Sequence, residues 1–148
     1  MKENTCAFFG HRTVSDNIED TVFQTICNVI EHQNVTVFLV GGHGEFDAIC
    51  ASMVRKAKRT YPHIRLILVQ PKMTNALNTH KESYAALYDD VVVPTESDAA
   101  YYKAAIRIRN QWIARHADII ISYLRRPNGG AFEAVKYAEK EGKYLIII

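Results

Sequence analysis

A chain of 148 residues that is 48% hydrophobic and 23% charged suits one globular domain over residues 1–148, with enough apolar material for a layered core. The formal net charge of +2 gives no electrostatic ground for a nucleic-acid partner, so nucleic acid is expected to be an unlikely partner, while phosphate ligands stay open. Cys6, Cys27 and Cys50 lie far apart in apolar surroundings and read as reduced thiols, and neither Met1-Lys2-Glu3-Asn4 nor any later stretch resembles an export signal or membrane span; a cytoplasmic protein is expected.

Thr5 to Phe9 (TCAFF) reads as a buried strand that ends at Gly10-His11-Arg12. A helix follows, with Ile18, Val22, Ile26, Val29 and Ile30 on one face and Asp16 and Glu19 at capping-box spacing. Val35 to Val40 (VTVFLV) is a second strand, turned by Gly41-Gly42-His43-Gly44-Glu45-Phe46-Asp47 into a helix marked by Phe46, Ile49, Cys50, Met53, Val54 and Ala57. The basic run Arg55 to Arg59 suits the end of that helix, where cations meet the negative end of the dipole. His63 to Val69 is a third, almost continuously apolar strand. Residues 70 to 88 carry a poor pattern, read as a lid-like loop with a short helix near Lys81 to Leu87.

Val91 to Val93 is a fourth strand stopped by Pro94, after which Ser97 or Asp98 is expected to cap a long helix running to about His116. Arg109 falls on the apolar face of that helix, between Ile106 and Ile113. Such an arginine needs a partner: an ion pair, an escape of its head to the edge, or an anionic ligand. Trp112 reads as core. Asp118 to Tyr123 is a fifth strand, Arg125-Arg126-Pro127-Asn128-Gly129-Gly130 leads into a helix with Ala131, Ala134, Val135 and Ala138, and Lys143 to Ile148 is a last strand after Gly142. Alternation of strands and helices predicts an α/β, three-layer, Rossmann-like fold with a mainly parallel sheet of about six strands flanked by helices.

In such a sheet three glycine corners, at Gly10, at Gly41-Gly42-Gly44 and at Gly129-Gly130, fall on one edge, where ligands bind and helix N-termini favour anions. Arg12 or Arg109 could grip a phosphate in a bidentate way. His43, Glu45, Asp47 and Asn110 join the expected ligand-binding set of Gly10, His11, Arg12, Gly41, Gly42, Gly44, Gly129 and Gly130. Asp47 suits either a ribose hydroxyl or a cap. The spacing fits neither the P-loop nor the dinucleotide fingerprint, and HExxH is absent. No cofactor is expected, and no metal, since His11 and His43 would form a site only by meeting in space.

In combination and order, Phe9-Gly10-His11-Arg12, Gly41-Gly42 through Phe46-Asp47, Arg109-Asn110-Gln111-Trp112 before Asp118, and Gly129-Gly130 through Tyr137-Ala138 to Gly142-Lys143 resemble the SLOG superfamily. This Rossmann-like superfamily includes the Lonely-guy enzymes and the DNA-processing protein A of bacterial transformation, and the chain is most like its small bacterial members that begin with a Gly-His-Arg corner. The resemblance implies a pocket for a nucleotide or nucleotide derivative, phosphorylated or ADP-ribose-like, with a sensor role and a homodimeric state. It also implies two alternatives. One is an N-glycosidic hydrolase or deoxyribosyltransferase-like enzyme with Arg109 and Glu133 as catalytic residues. The other is a single-stranded DNA-binding module. Gly130-Ala131-Phe132-Glu133 is similar to the Gly-Thr-Ala-Phe-Glu segment of the deoxyribosyltransferases, without its threonine, and Val135 stands where the Lonely-guy motif has its glutamate. Glu133 can serve a glycosidic carbon or merely complement the helix dipole.

Overall fold

Six strands build one sheet: β1 (Asn4–Gly10), β2 (Val35–Val40), β3 (Arg65–Val69), β4 (Asp90–Val92), β5 (Ile119–Tyr123) and β6 (Tyr144–Ile147). Their order is β4-β3-β2-β1-β5-β6, and every neighbouring pair is parallel. The structure is a computed structural model and describes residues 2–148; Met1, the first residue of the polar opening tetrapeptide, lies outside the described residues. Around the sheet lie α1 (Glu19–Gln33), α2 (Glu45–Lys58), α3 (Asn75–Thr79), α4 (Lys81–Leu87), α5 (Thr95–Asp98), α6 (Tyr102–His116) and α7 (Gly130–Lys140). The arrangement is α/β and Rossmann-like, and the sheet is wholly parallel rather than mainly so. No helix among the described residues is long and apolar enough to cross a membrane.

Two cores sandwich the sheet because successive strand residues point to opposite faces. Cys6 and Phe8 of β1, with Phe38, Val40, Leu66 and Leu68, face α1 and α2, which contribute Val22, Ile26, Cys50 and Val54. Ala7 and Phe9, with Leu39, Val69 and Ile120, face α6 and α7, which contribute Ile113, Ala114, Ala134 and Ala138. The small residues of the second set let helices approach the strands closely. In the first core Phe8 stacks on Phe38 at 5.9 Å and Phe46 on Tyr123 at 5.7 Å between ring centroids.

The chain steps outward from β1 to β4 and then returns to lay β5 on the other side of β1. Between β1 and β5 the connections diverge to opposite faces, leaving a crevice beyond their carboxyl ends. Gly10, His11 and Arg12 follow β1 there, and residues 124–130 follow β5.

Several local expectations change. Asp16 and Glu19 form no capping box: Ile18 is the N-cap of α1 without a side-chain bond, and Asp16 instead accepts from the Tyr123 hydroxyl at 2.6 Å and Arg125 Nε at 3.1 Å. The long helix expected from Ser97 or Asp98 is two helices, broken at residues 99–101. Asp98 turns away from a capping role to accept the Met73 N–H at 2.9 Å, and the buried Ser97 hydroxyl donates to the Pro94 carbonyl. The poorly patterned stretch after β3 holds two short helices, α3 and α4, the first capped by Thr74. At the end of α2, Lys58 pairs with Asp89 and Arg55 donates to the Leu87 carbonyl, so part of the basic run ties this helix to the segment before β4.

Candidate functional site

The three glycine corners do converge on the carboxyl edge, but they differ in what they leave open. Gly44, the N-cap of α2, has φ 92° and ψ 176°, a region that is essentially glycine's alone. A Cβ there would come within 2.7 Å of the Arg12 Cα, because the first corner packs directly over the second. The Glu45 N–H donates to the Arg12 carbonyl at 2.8 Å. The N-terminus of α2 is therefore partly spent on the protein itself.

Gly129 begins α7 in nearly the same conformation, φ 94° and ψ 172°, yet neither it nor Gly130 has any atom within 4 Å of an added Cβ. The first N–H groups of a helix have no intrahelical acceptor. The head of α7 thus offers free donors and the positive end of a dipole to an open space.

That space is a cavity of about 340 Å³ lined by Phe9, Gly10, His11, Arg12, His43, Asp47, Ile106, Arg109, Asn110, Arg126, Gly129, Gly130 and Ala131. Of the residues expected from the sequence, Gly41, Gly42, Gly44, Glu45 and Glu133 are not among them. Gly41 is buried behind Arg109, Gly44 and Glu45 are taken up by the contact with Arg12, and the Gly42 backbone packs on Leu68. Glu133 is exposed and lines the adjoining groove between α6 and α7, not the part of the cavity that Arg109 lines. Arg126, Phe9, Ile106 and Ala131 complete the lining. Arg126 was legible only as one of two arginines preceding the last glycine pair.

Arg109 is only 3% exposed and makes no ion pair among the described residues. Its Nη1 donates to the Gly41 carbonyl at 3.0 Å and the Val69 carbonyl at 2.9 Å, and Nε donates to Asn110 Oδ1 at 2.9 Å. The planar fork thus satisfies carbonyls at the ends of β2 and β3, which lie beyond the reach of the strand ladders. Its Nη2 makes no hydrogen bond among the described residues. Burial pulls the guanidinium pKa down, and the nearby charge of Asp47 pushes it up.

Asp47 is buried in the first turn of α2 and accepts the His43 N–H at 3.2 Å. Burial raises its pKa to about 6, against the opposing pull of the His43 N–H, Arg109 and the Gly41 N–H. Asp47 and Arg109 share the cavity without a direct ion pair.

His11 is 4% exposed, and its Nε2 accepts the Arg125 N–H at 2.8 Å, which joins the corner after β1 to the corner after β5. That bond fixes the neutral ring with its proton on Nδ1. Burial, then the charges of Arg126 and Arg125, lower its pKa. His43 Nε2 lies 2.7 Å from Arg12 Nη2, and since arginine can only donate, this ring nitrogen accepts. Burial, Arg12 and Arg109 lower the His43 pKa as well. Both histidines thus serve protein contacts through one nitrogen. Among the described residues no group of three His, Cys, Asp or Glu side chains is placed to hold a metal ion.

Around the cavity stand three guanidinium groups, one carboxyl that resists ionisation, and the free head of a helix. Arg126 makes no hydrogen bond or ion pair among the described residues, while its neighbour Arg125 is held by Asp16, the Ile148 carbonyl and the Tyr123 ring. The arrangement suits a singly charged oxyanion.

No family model and no curated protein sequence matches the chain. Among solved structures it is similar to DNA processing protein A from Helicobacter pylori, with a TM-score of 0.70 and 18% identity over 97% of this chain and 64% of that one. It is also similar to DNA processing protein A from Streptococcus pneumoniae, with a TM-score of 0.68 and 15% identity over 98% of this chain and 50% of that one. The chain therefore spans less than two thirds of either neighbour. The Helicobacter protein is described for its single-stranded DNA binding mode. That finding overturns the expectation that nucleic acid is an unlikely partner, because a net charge near zero says nothing of how arginines are grouped and a structural neighbour is described as binding single-stranded DNA. The fold is the Rossmann-like one that the chain shares with these DNA processing protein A structures.

Proposed function

We propose that the chain is a single-stranded DNA-binding module and that its edge cavity seats a backbone phosphate. One observation carries this reading: the unobstructed N-terminus of α7 opens into a cavity whose charged groups are Arg12, Arg109 and Arg126 against Asp47 alone. The N–H groups of Gly130 and Ala131 would meet the phosphate oxygens, as helix N-termini do in many phosphate sites. Arg126 and Arg12 supply side-chain donors from opposite rims, and Arg109 contributes charge from the floor with its remaining Nη2. Phosphate contacts of this kind give affinity without reading sequence. The DNA-binding behaviour described for a structural neighbour supports the same reading.

Fluorescence anisotropy with a labelled oligothymidylate tests it. The affinity should fall log-linearly with salt, by roughly 0.7 in slope for each phosphate neutralised on a single strand. Arg126→Ala should weaken binding and lower the slope by about 0.7, with the melting temperature unchanged because Arg126 makes no contact that the fold uses. Absence of binding at low salt, or an Arg126→Ala protein that binds as the wild type does, would overturn the proposal.

A free nucleotide is the second reading, favoured by the volume of about 340 Å³, which lies at the small end of ligand cavities. A nucleoside monophosphate that raises the melting temperature while an oligothymidylate does not would select it.

A further inference from the structure

The edge cavity does not end at the helix heads. Ile106, Asn110 and Gly130 line it and also line the groove of about 890 Å³ between α6 and α7. The two helices both start at the carboxyl edge and run side by side toward the opposite edge. The groove thus continues from the cavity for the length of the 11-residue α7, about 16 Å at 1.5 Å per residue.

We propose that this groove is the track along which a single strand of DNA extends from the phosphate seated at the edge. The inference rests on the function proposed above and adds a second, separable stretch of contact. Lys103, Arg107 and Lys140 lie along the groove with no hydrogen bond or ion pair among the described residues, and Lys136 pairs with Glu139 at 3.6 Å. Glu133 is the other acidic side chain of the lining, so cations exceed anions four to two. Between the charged rims the floor is apolar, with Ile106, Ala134 and the ring of Tyr137. Cationic rims over an apolar floor match a polyanion whose bases need a surface to stack on.

Tyr102 strengthens the match. It stands one helical turn before Ile106, on the same face of α6, and is 74% exposed, with no hydrogen bond or ring stacking among the described residues. In the proposed track that ring, at the start of α6 and four residues before Ile106, is a stacking platform for the base next to the seated phosphate. At roughly 3.4 Å per stacked nucleotide the groove is long enough for about five nucleotides of a single strand.

The test compares the wild type, Lys103→Glu/Arg107→Glu, Tyr102→Ala and Arg126→Ala on two probes, a thymidine dinucleotide with a 5′-phosphate and an oligothymidylate of about 20 nucleotides. The double variant should bind the short probe as the wild type does, whereas Tyr102→Ala, whose ring meets the base next to the seated phosphate, should weaken the binding of both probes. On the long probe the double variant should lose about 1.4 in salt slope, two contacts at roughly 0.7 each, and Tyr102→Ala should lose about 5- to 150-fold in affinity. Sedimentation and thermal melting are recorded for each variant. Long-probe binding unchanged in the groove variants but weakened in Arg126→Ala would overturn the track and leave the edge site standing. Failure of the wild type to bind either probe would overturn both. A groove variant that alters the oligomeric mass while leaving DNA affinity intact would assign the groove to a second copy of this chain and likewise overturn the track.

Discussion

Arg109 shows how one side chain can be both structural and electrostatic. Its Nη1 satisfies the Gly41 carbonyl just past β2 and the last carbonyl of β3, so Arg109→Ala leaves two buried acceptors unpaired. At roughly 1–3 kcal/mol for each buried group left unsatisfied, the variant should lose about 3 kcal/mol in urea denaturation. Lysine at this position should recover only a part, since a single ammonium cannot reproduce the fork that reaches Gly41, Val69 and Asn110 together. A loss of DNA binding in Arg109→Ala is therefore informative only when folding is measured alongside it.

Asp47 makes a different prediction because its pKa is raised, from 3.8 to about 6. Between these values the folded state holds more protons than the unfolded one. Stability contributed by protonated Asp47 is fully present below pH 3.8 and is lost as pH rises through about 6. The full difference is on the order of 3 kcal/mol, so Asp47→Asn should gain on the wild type as pH rises from 4 to 7. A phosphate in the cavity raises this pKa further, and the affinity for an oligonucleotide should decrease as pH rises above about 6 in the wild type and stay level in Asp47→Asn. His11 has the opposite sign. Its pKa is lowered from 6.5, so the stability it contributes is lost as pH falls below that value, when protonation takes Nε2 from the Arg125 N–H.

Among the elements, α2 and α7 begin alike and end in different roles. Gly44 and Gly129 share one backbone conformation, but only Gly44 is covered by another segment. Thermal melts of alanine variants should rank accordingly. Gly44→Ala should be the most damaging, by more than about 2 kcal/mol, from strained φ together with the clash on Arg12. Gly129→Ala should cost about 1–2 kcal/mol from its φ alone, and Gly130→Ala, with ordinary φ and open space, should leave stability almost unchanged. The corner after β2, with three glycines, His43, Glu45 and Asp47, is the richest stretch in the sequence and the less open of the two helix starts. Glycine content announces a corner; it does not announce which neighbour fills it. The Glu45 to Arg12 bond links residues 33 apart in sequence, and no local pattern encodes it. Strand order and the helix break before Tyr102 divide the same way. The alternation of apolar strands and amphipathic helices fixes the layers, whereas the break comes with a contact between Asp98 and the distant Met73 N–H that no local pattern encodes.

For the whole molecule, a charge of +2 distributed over 148 residues conceals a grouping of guanidinium groups at one sheet edge. The sum is set largely by acidic residues that pair elsewhere, among them Asp16 with Arg125, Asp89 with Lys58 and Glu96 with Arg115. Net charge is a poor guide to partners for that reason. Position is a better one: Arg126 lies beyond β5, Arg12 beyond β1, and Arg109 reaches up from α6 below both. Glu133 belongs to the neighbouring groove, where it has no contact with the arginine that a glycosidic reaction would pair with it.

The most direct test is to follow backbone amide resonances while a short 5′-phosphorylated oligothymidylate is added. The amides of Gly130 and Ala131, free at the head of α7, should move most, while the Glu45 amide, already bonded to the Arg12 carbonyl, should hardly move. Saturating binding that leaves Gly130 and Ala131 in place, or shifts confined to residues away from the carboxyl edge, would contradict the assignment of the phosphate to this cavity.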